Sequence, residues 1–171
     1  MRSRWLWLVL FLLPALASAQ EDPIQVALKG ELLSLNRTGL VSKGPLPADL
    51  QAPLGSLWKL FVYAWLVDTD ATEPAYECRG QSKEEVYCCT AGGSIGRDQA
   101  LVKSCGLYFE PQRLGISESD WLAYWQARKA PQWLLSTSTL QPQPQVPVAQ
   151  LLETLAGRVS GYGYQSTDVA V

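Results

Sequence analysis

The segment PLGSLWKLFVYAWL, residues 53–66, decides how this chain folds, because it predicts a loop that turns directly into a buried helix. Residues 57–67 carry almost only apolar side chains, which is typical of a helix packed on most of its sides. Ser56 stands where the N-cap is expected, and the residue three positions later is then usually Glu or Gln. Here it is Lys59. A cation at the positive end of the helix dipole costs about 0.3–1 kcal/mol.

Two interpretations of Ser56 are open: it is an ordinary helix cap, or it forms a chemical pair with Lys59. The i, i+3 spacing places Ser56 Oγ and Lys59 Nζ on one helical face. The helix dipole and the apolar surroundings both disfavour the ammonium form, so the pKa of Lys59 should fall. A neutral amine beside a hydroxyl is a general base, which would make Ser56 a nucleophile that accepts an acyl group. The backbone N–H of Ser56, at a helix start, is suited to stabilise the oxyanion.

A second motif lies downstream in QALVKSCGLYF, residues 99–109. Together with PLGSLWKLF it resembles the catalytic motifs of penicillin-binding transpeptidases and serine β-lactamases, Ser-x-x-Lys and Ser-x-Asn. The resemblance implies that Ser56 is the nucleophile, Lys59 the general base and Ser104 a proton shuttle. Gly106 stands where the family has Asn, so an amide that helps to hold substrate is lost. An ordinary serine at a helix end is the alternative for Ser104.

The third motif of that family, Lys-Thr-Gly on an edge strand, does not occur in this sequence, and residues 158–161 (RVSG) are only a faint counterpart. The resemblance covers residues 24–130. It implies an α+β fold with the N-terminal β-hairpin and helical region of the penicillin-recognising fold, but without its C-terminal sheet strands. The chain would then be truncated, a reduced relative, or completed by a sheet supplied elsewhere. The pattern resembles more closely a group of secreted bacterial proteins of the YfaQ type, whose function is unknown.

The N-terminal residues have the layout of a secretory signal peptide. Arg2 and Arg4 precede an apolar run over residues 5–13, and the small residues 17–19 follow it. The run is well short of the about 20 residues that cross a bilayer as a helix. An uncleaved anchor is the alternative. We therefore predict a periplasmic or secreted protein with a signal peptide at residues 1–19 and no membrane span after its removal.

Composition narrows the chemistry and the partners. The chain has no His, which removes the usual metal ligand and the usual general base, so we expect neither a metal nor another cofactor. A net charge of −2 gives no reason to expect nucleic acid as a partner, whereas peptidoglycan or envelope proteins would suit the predicted location. The four Cys are disulfide candidates. Cys78 is expected to pair with Cys88 or Cys89, and Cys105 with the other one or with none.

The remaining pattern divides the chain into segments. We predict a transpeptidase-like partial domain over residues 20–130, a Pro- and Gln-rich linker over 131–147, and a C-terminal helix with a flexible tail over 148–171. The elements expected inside the partial domain are a β-hairpin in 24–41, a loop over 42–55, a short helix over 97–103 and a helix capped by Ser117. Trp121, Tyr124 and Trp125 on that last helix fit either a core or a glycan-binding platform.

Two hypotheses for the function follow. One is a secreted envelope protein with a degenerate penicillin-binding-like scaffold and weak or no catalytic activity, and the sequence favours it slightly because half of the family's cleft is missing. The alternative is a periplasmic serine acyl-transferase or hydrolase of the Ser-x-x-Lys type, acting on peptidoglycan peptides or β-lactams. Covalent modification of Ser56 distinguishes the two.

Overall fold

The computed structural model describes residues 23–28 and 30–159, which form two compact units divided after Pro45. The predicted signal peptide and tail residues 160–171 lie outside the described residues. The first unit is an antiparallel sheet of three strands in the order β1-β2-β3, with β1 at Ile24–Leu28, β2 at Glu31–Asn36 and β3 at Gly39–Pro45. The predicted hairpin therefore has a third strand, which extends into the segment predicted as loop.

The second unit mixes helices with two short antiparallel strand pairs, β4 with β7 and β5 with β6. Its elements are β4 Gln51–Pro53, α1 Trp58–Thr69, β5 Tyr76–Glu77, β6 Ser94–Ile95, α2 Arg97–Val102, α3 Pro111–Leu114, α4 Glu118–Ala127, β7 Gln145–Pro147 and α5 Val148–Val159. The helices predicted around α1, α2, α4 and α5 are confirmed to within a few residues at their ends. Whether this arrangement is a partial penicillin-recognising fold stays a prediction.

Helix α1 runs through the core of the second unit, as its apolar sequence predicts. Phe61 is buried and meets Trp125 of α4 edge to face, with ring centroids 5.7 Å apart. Trp121 is also fully buried, and its indole N–H donates to the Leu134 carbonyl at 2.8 Å. Burying such rings removes a large apolar area from water and fixes α4 against α1. The α4 aromatic residues thus belong to the core, and the alternative of a glycan-binding platform is wrong.

Residues 131–147 are ordered and packed, unlike the linker that their composition predicts. They contain two 3-10 turns and strand β7, and the side chains of Leu134, Leu140 and Val146 are buried. The β4–β7 pairing aligns Ala52 with Val146, so this segment lies beside the chain that leads into α1. The prediction of a linker is therefore wrong for this segment, because its few apolar side chains are enough to pack it against the core.

Two disulfides cross-link the excursion between β5 and α2. Cys78 is bonded to Cys89, and Cys88 to Cys105. The sequence left the partner of Cys78 open between two adjacent Cys, and the structure selects Cys89. The buried Glu85 adds a polar anchor here: its carboxylate accepts from the Tyr76 hydroxyl and from the backbone N–H groups of Arg79 and Gln81. The backbone N–H of Arg79 in particular lowers the pKa of this carboxyl group.

Candidate active site

The segment that enters α1 is held from outside the helix. A 3-10 turn, Gly55–Leu57, precedes α1, and Gly55 has a φ of +55°, a conformation that favours glycine. The backbone N–H groups of Leu54 and Gly55 donate to the carbonyls of Pro144 and Pro142, at 2.9 and 3.0 Å. The segment after residue 131 therefore fixes the position of Ser56, which follows Gly55 directly.

The start of α1 lacks the usual stabilising groups. In the described chain, neither the 3-10 turn nor α1 has a side-chain N-cap, and no acidic residue lies in the first turn of either. The interpretation of Ser56 as an ordinary cap is therefore wrong. Its backbone N–H lies at a helix start, where such groups have no partner inside the helix. This leaves it suited to bind an oxyanion.

Lys59 joins two serines that are distant in sequence. Its Nζ donates to Ser56 Oγ at 3.1 Å and to Ser104 Oγ at 2.8 Å. Lys59 itself is only 7% exposed, whereas both serines are exposed. A buried amine thus hydrogen-bonds two exposed serines, and the three residues predicted from the motifs lie together.

Burial makes the Lys59 ammonium easier to deprotonate than an exposed lysine. Burial lowers the pKa of Lys59 from its ordinary value, while the nearby carboxylate of Glu84 acts in the opposite direction. No carboxylate lies within ion-pair distance of Lys59 among residues 23–28 and 30–159. An amine without a paired anion loses its proton more easily, so Lys59 has the environment that a general base needs.

Ser104 has an unusual backbone conformation for its residue type. It follows α2 with a φ of +57°, and its N–H donates to the Leu101 carbonyl while the next N–H, of Cys105, donates to Ala100. This is the Schellman arrangement, in which the left-handed position is usually Gly. The end of α3 has Gly115 at the corresponding place, with the same two bonds. A serine here costs stability and directs its hydroxyl toward Lys59.

The Cys88–Cys105 disulfide is adjacent to this serine. Cys105 follows Ser104 in sequence, and Cys88 closes the 3-10 turn Lys83–Tyr87, which carries Glu84. Both sulfur-bearing side chains are fully buried. The bridge therefore couples Ser104 to the segment that bears the acidic residue acting on Lys59.

The three residues open onto a cleft with a volume of ≈ 850 Å³. Its lining also includes neutral polar residues that the sequence did not predict: Thr137, Ser138, Gln141 and Gln143. The buried Leu140 among them was the available signal, because one apolar anchor in a polar stretch indicates packing rather than a free linker. In the part of the chain that the structure describes, no group of three His, Cys, Asp or Glu residues is placed to bind a metal.

Gly106 lies at the edge of this cleft, where the resembled family has Asn. Its backbone is ordinary αR, with φ −64° and ψ −45°. A Cβ at this position would lie 3.7 Å from Lys59 Cε and 3.8 Å from Trp58, which is normal van der Waals contact. A Cβ therefore fits here, so neither the backbone conformation nor the space for a Cβ requires Gly at this position.

Comparisons with known proteins support secretion but no activity. Residues 80–162 match the family described as "Predicted secreted protein (DUF2300)". The chain is 54% identical over 158 residues to "Uncharacterized protein YfaQ" of Escherichia coli (strain K12). The aligned region covers 90% of this chain and 28% of that relative. The chain thus spans under a third of the relative's length. No solved structure matches.

These findings agree with the N-terminal sequence. The similarity to YfaQ-type proteins is confirmed, and nothing in the comparisons supports the penicillin-binding resemblance. Within the described residues no helix is long and apolar enough to span a membrane. The two disulfides fit an oxidising compartment, and the protein is periplasmic or secreted, as predicted.

Proposed function

We propose that this secreted protein is a serine acyl-enzyme in which Ser56 is the nucleophile and Lys59 the general base. One observation carries the proposal: a buried amine with a lowered pKa hydrogen-bonds two exposed serines, at 3.1 and 2.8 Å, at the base of a cleft. A lysine in this position breaks the normal pattern of a helix start, and such departures are expected at functional sites.

The chemistry follows from these contacts. Ser56 Oγ attacks the carbonyl carbon of the substrate and transfers its proton to neutral Lys59 Nζ. The Ser56 N–H stabilises the negative charge on the carbonyl oxygen. Ser104 Oγ gives its proton to the leaving group as the bond between carbonyl carbon and leaving group breaks, and takes a proton from the Lys59 ammonium. Water then hydrolyses the acyl ester by the reverse proton transfers, which restores Ser56.

The motif resemblance supplies the substrate class. Ser-x-x-Lys enzymes of the penicillin-binding type are acylated by peptidoglycan peptides and by β-lactams. Both kinds of compound occur outside the cytoplasm, where this protein is located. Turnover should nevertheless be slow, since the loss of one transition-state donor costs about 10²–10³ in rate, and this sequence lacks both the Asn of the second motif and the Lys-Thr-Gly strand. Covalent labelling detects a single acylation of each molecule, so it is a better measurement than turnover.

The test is covalent labelling with a fluorescent penicillin. The purified protein is incubated with the probe, and mass spectrometry of its peptides locates the adduct. We expect one adduct, on Ser56, that Ser56→Ala abolishes and Ser117→Ala leaves intact. Unfolding curves establish that all three proteins are folded. A folded protein that gives no Ser56 adduct at high probe concentration refutes the proposal and supports the non-catalytic envelope protein instead.

A further inference from the structure

The charges of the cleft are arranged unevenly. Its charged lining residues are Lys59, Glu84 and Glu110. Lys59 is buried at the base and hydrogen-bonded to both serines, whereas the two glutamates are exposed. Among the described lining residues, the exposed charges are therefore both negative, and the one cation is buried. An anionic group is disfavoured there, and a cationic group is favoured.

Glu84 differs sharply from the glutamate that follows it. Glu85 is buried and its carboxylate is occupied by Tyr76, Arg79 and Gln81. The Glu84 carboxylate, in contrast, makes no hydrogen bond or ion pair with any described residue, although it faces the cleft. Its backbone N–H donates to Ser82 Oγ, the cap of the 3-10 turn. Glu85 therefore serves the fold, and the Glu84 carboxylate is available to a ligand.

In the free protein Glu84 opposes the chemistry of the site. Its charge favours the ammonium form of Lys59, which is the wrong form for a general base. A positive group bound at Glu84 would neutralise that effect and would itself repel the ammonium. The exposed aromatic residue of the cleft lining, Tyr87, adds a face that attracts cations, whereas Trp58 is buried with Lys59 Nζ 5.7 Å from its ring centroid.

We propose that Glu84 is a specificity residue that binds a primary ammonium group of the acyl substrate. The substrate class is then a peptide or ester that carries a lysine-like amine near the reacting carbonyl. This inference rests on the proposed function. Binding of the ammonium group orients the carbonyl toward Ser56 and at the same time removes the electrostatic restraint on Lys59, so the correct substrate helps to activate the base.

The experiment compares two esters that differ in one group. The p-nitrophenyl esters of N-acetyl-lysine and N-acetyl-norleucine share a four-carbon side chain, but only the first has a terminal ammonium group. The rate of p-nitrophenol release by Ser56→Ala is subtracted from each rate. We expect the second-order acylation rate to be about tenfold higher for the lysine ester, the size of a charge-assisted contact at a partly screened site.

Two variants separate binding at Glu84 from general charge. Glu84→Gln should bring the ratio of lysine to norleucine rates close to one, and it should modestly accelerate the norleucine ester because Lys59 loses a charge that holds its proton. Glu77→Gln removes the same charge from an exposed position outside the cleft lining, and should leave the ratio at its original value. A ratio that Glu84→Gln does not change overturns the specificity inference while the acyl-enzyme stands. Absence of Ser56-dependent release from both esters overturns both.

Discussion

Two helices of the second unit begin with a serine and a charged residue three positions later, yet the two starts work in opposite ways. At α4, Ser117 Oγ accepts the Asp120 N–H at 3.1 Å and donates to the Asp120 carboxylate at 2.6 Å. At α1, the Ser56 side chain caps no backbone group in the described structure, and Lys59 takes the position of the acid. The same spacing thus produces a cap in one helix and a Ser–Lys pair in the other.

The difference teaches how local rules separate stability from chemistry. A serine cap and an acid in the first turn each stabilise a helix, by about 1 kcal/mol and about 0.3–1 kcal/mol. The start of α4 has both, and its carboxylate interacts favourably with the helix dipole. The start of α1 has neither, and its amine hydrogen-bonds two hydroxyl groups instead. A region that gives up stability in this way is where function is expected.

Lys59→Met should have the largest effect, and in opposite directions on rate and stability. Met keeps the unbranched stem in the buried position but removes the base, so penicillin labelling of Ser56 should fall by about 10²–10⁴. Because burial and the positive helix end both disfavour an ammonium at this position, the free energy of unfolding should rise by about 0.5–1 kcal/mol at pH values below the pKa of Lys59. Labelling kinetics and urea denaturation measure the two effects.

The equivalent change at α4 is the control for this result. Asp120→Ala should lower the free energy of unfolding by about 0.5–1 kcal/mol, since the first turn loses one of its two acids and Ser117 loses a hydrogen-bond partner, and should leave labelling at the wild-type rate. If Lys59→Met were labelled as fast as the wild type, the contrast between the two helix starts would carry no functional meaning.

Ser104 extends the contrast to helix ends. Ser104 after α2 and Lys129 after α4 both have positive φ, 57° and 55°, and both sit in the same pair of backbone hydrogen bonds. Replacing either residue with Gly relieves left-handed strain, so each variant should be more stable by about 0.5–1 kcal/mol. Only Ser104→Gly should slow labelling, by about 10–10², because it alone removes the proton shuttle.

Equal labelling of Ser104→Gly and Lys129→Gly would contradict this. Ser104 would then be an ordinary helix-end residue, as the alternative interpretation of the sequence holds. Thermal unfolding of both proteins checks that the strain relief is comparable.

The two disulfides offer a third comparison, with a smaller effect on rate. They close loops of similar length, with sequence separations of 11 and 17 residues, so the loss of either should cost about 3 kcal/mol. Only Cys105 adjoins Ser104. Replacing Cys88 and Cys105 together with Ala should therefore slow labelling about tenfold relative to folded protein, the cost of a misplaced catalytic group.

The matched variant replaces Cys78 and Cys89 with Ala. It should be destabilised to a similar degree but labelled at nearly the wild-type rate, both proteins being compared at a temperature where they are folded. A common loss of labelling would mean that both bridges only maintain the fold.

Sequence predicted the local parts of this site and not the distant ones. The contact between Ser56 and Lys59 follows from helical spacing, and the cap at Ser117 from a short pattern, because both depend on neighbours in the chain. Ser104 was found only through a motif, since nothing local relates it to Lys59. The cleft-lining residues in 137–143 were not predicted. Their segment is positioned by the pairing of β4 with β7, two strands that are distant in sequence. The third strand of the first unit was missed because its Gly and Pro residues favour loops.

The smallest predicted effect is a pH dependence at the two helix starts, in which stability rises with pH at both but over different pH ranges. The pKa of Lys59 is lowered by burial, so between that pKa and the ordinary value of 10.5 the unfolded chain holds a proton that the folded protein has released, and stability rises with pH. The pKa of Glu118 at α4 is lowered by hydrogen bonds from Ser136 and Thr137, so its contribution to stability is present above 4.5 and lost as pH falls.

Urea denaturation of the wild type, Lys59→Met and Glu118→Gln from about pH 3 to about pH 10 separates the two contributions. Subtracting the wild-type free energy from that of each variant cancels the titration of all other groups. The stability advantage of Lys59→Met over the wild type should shrink as pH rises toward 10.5. The stability deficit of Glu118→Gln, under about 1 kcal/mol after solvent screening, should shrink as pH falls below 4.5. An advantage of Lys59→Met that stays constant up to that pH would mean that Lys59 keeps its proton in the folded protein and is no base.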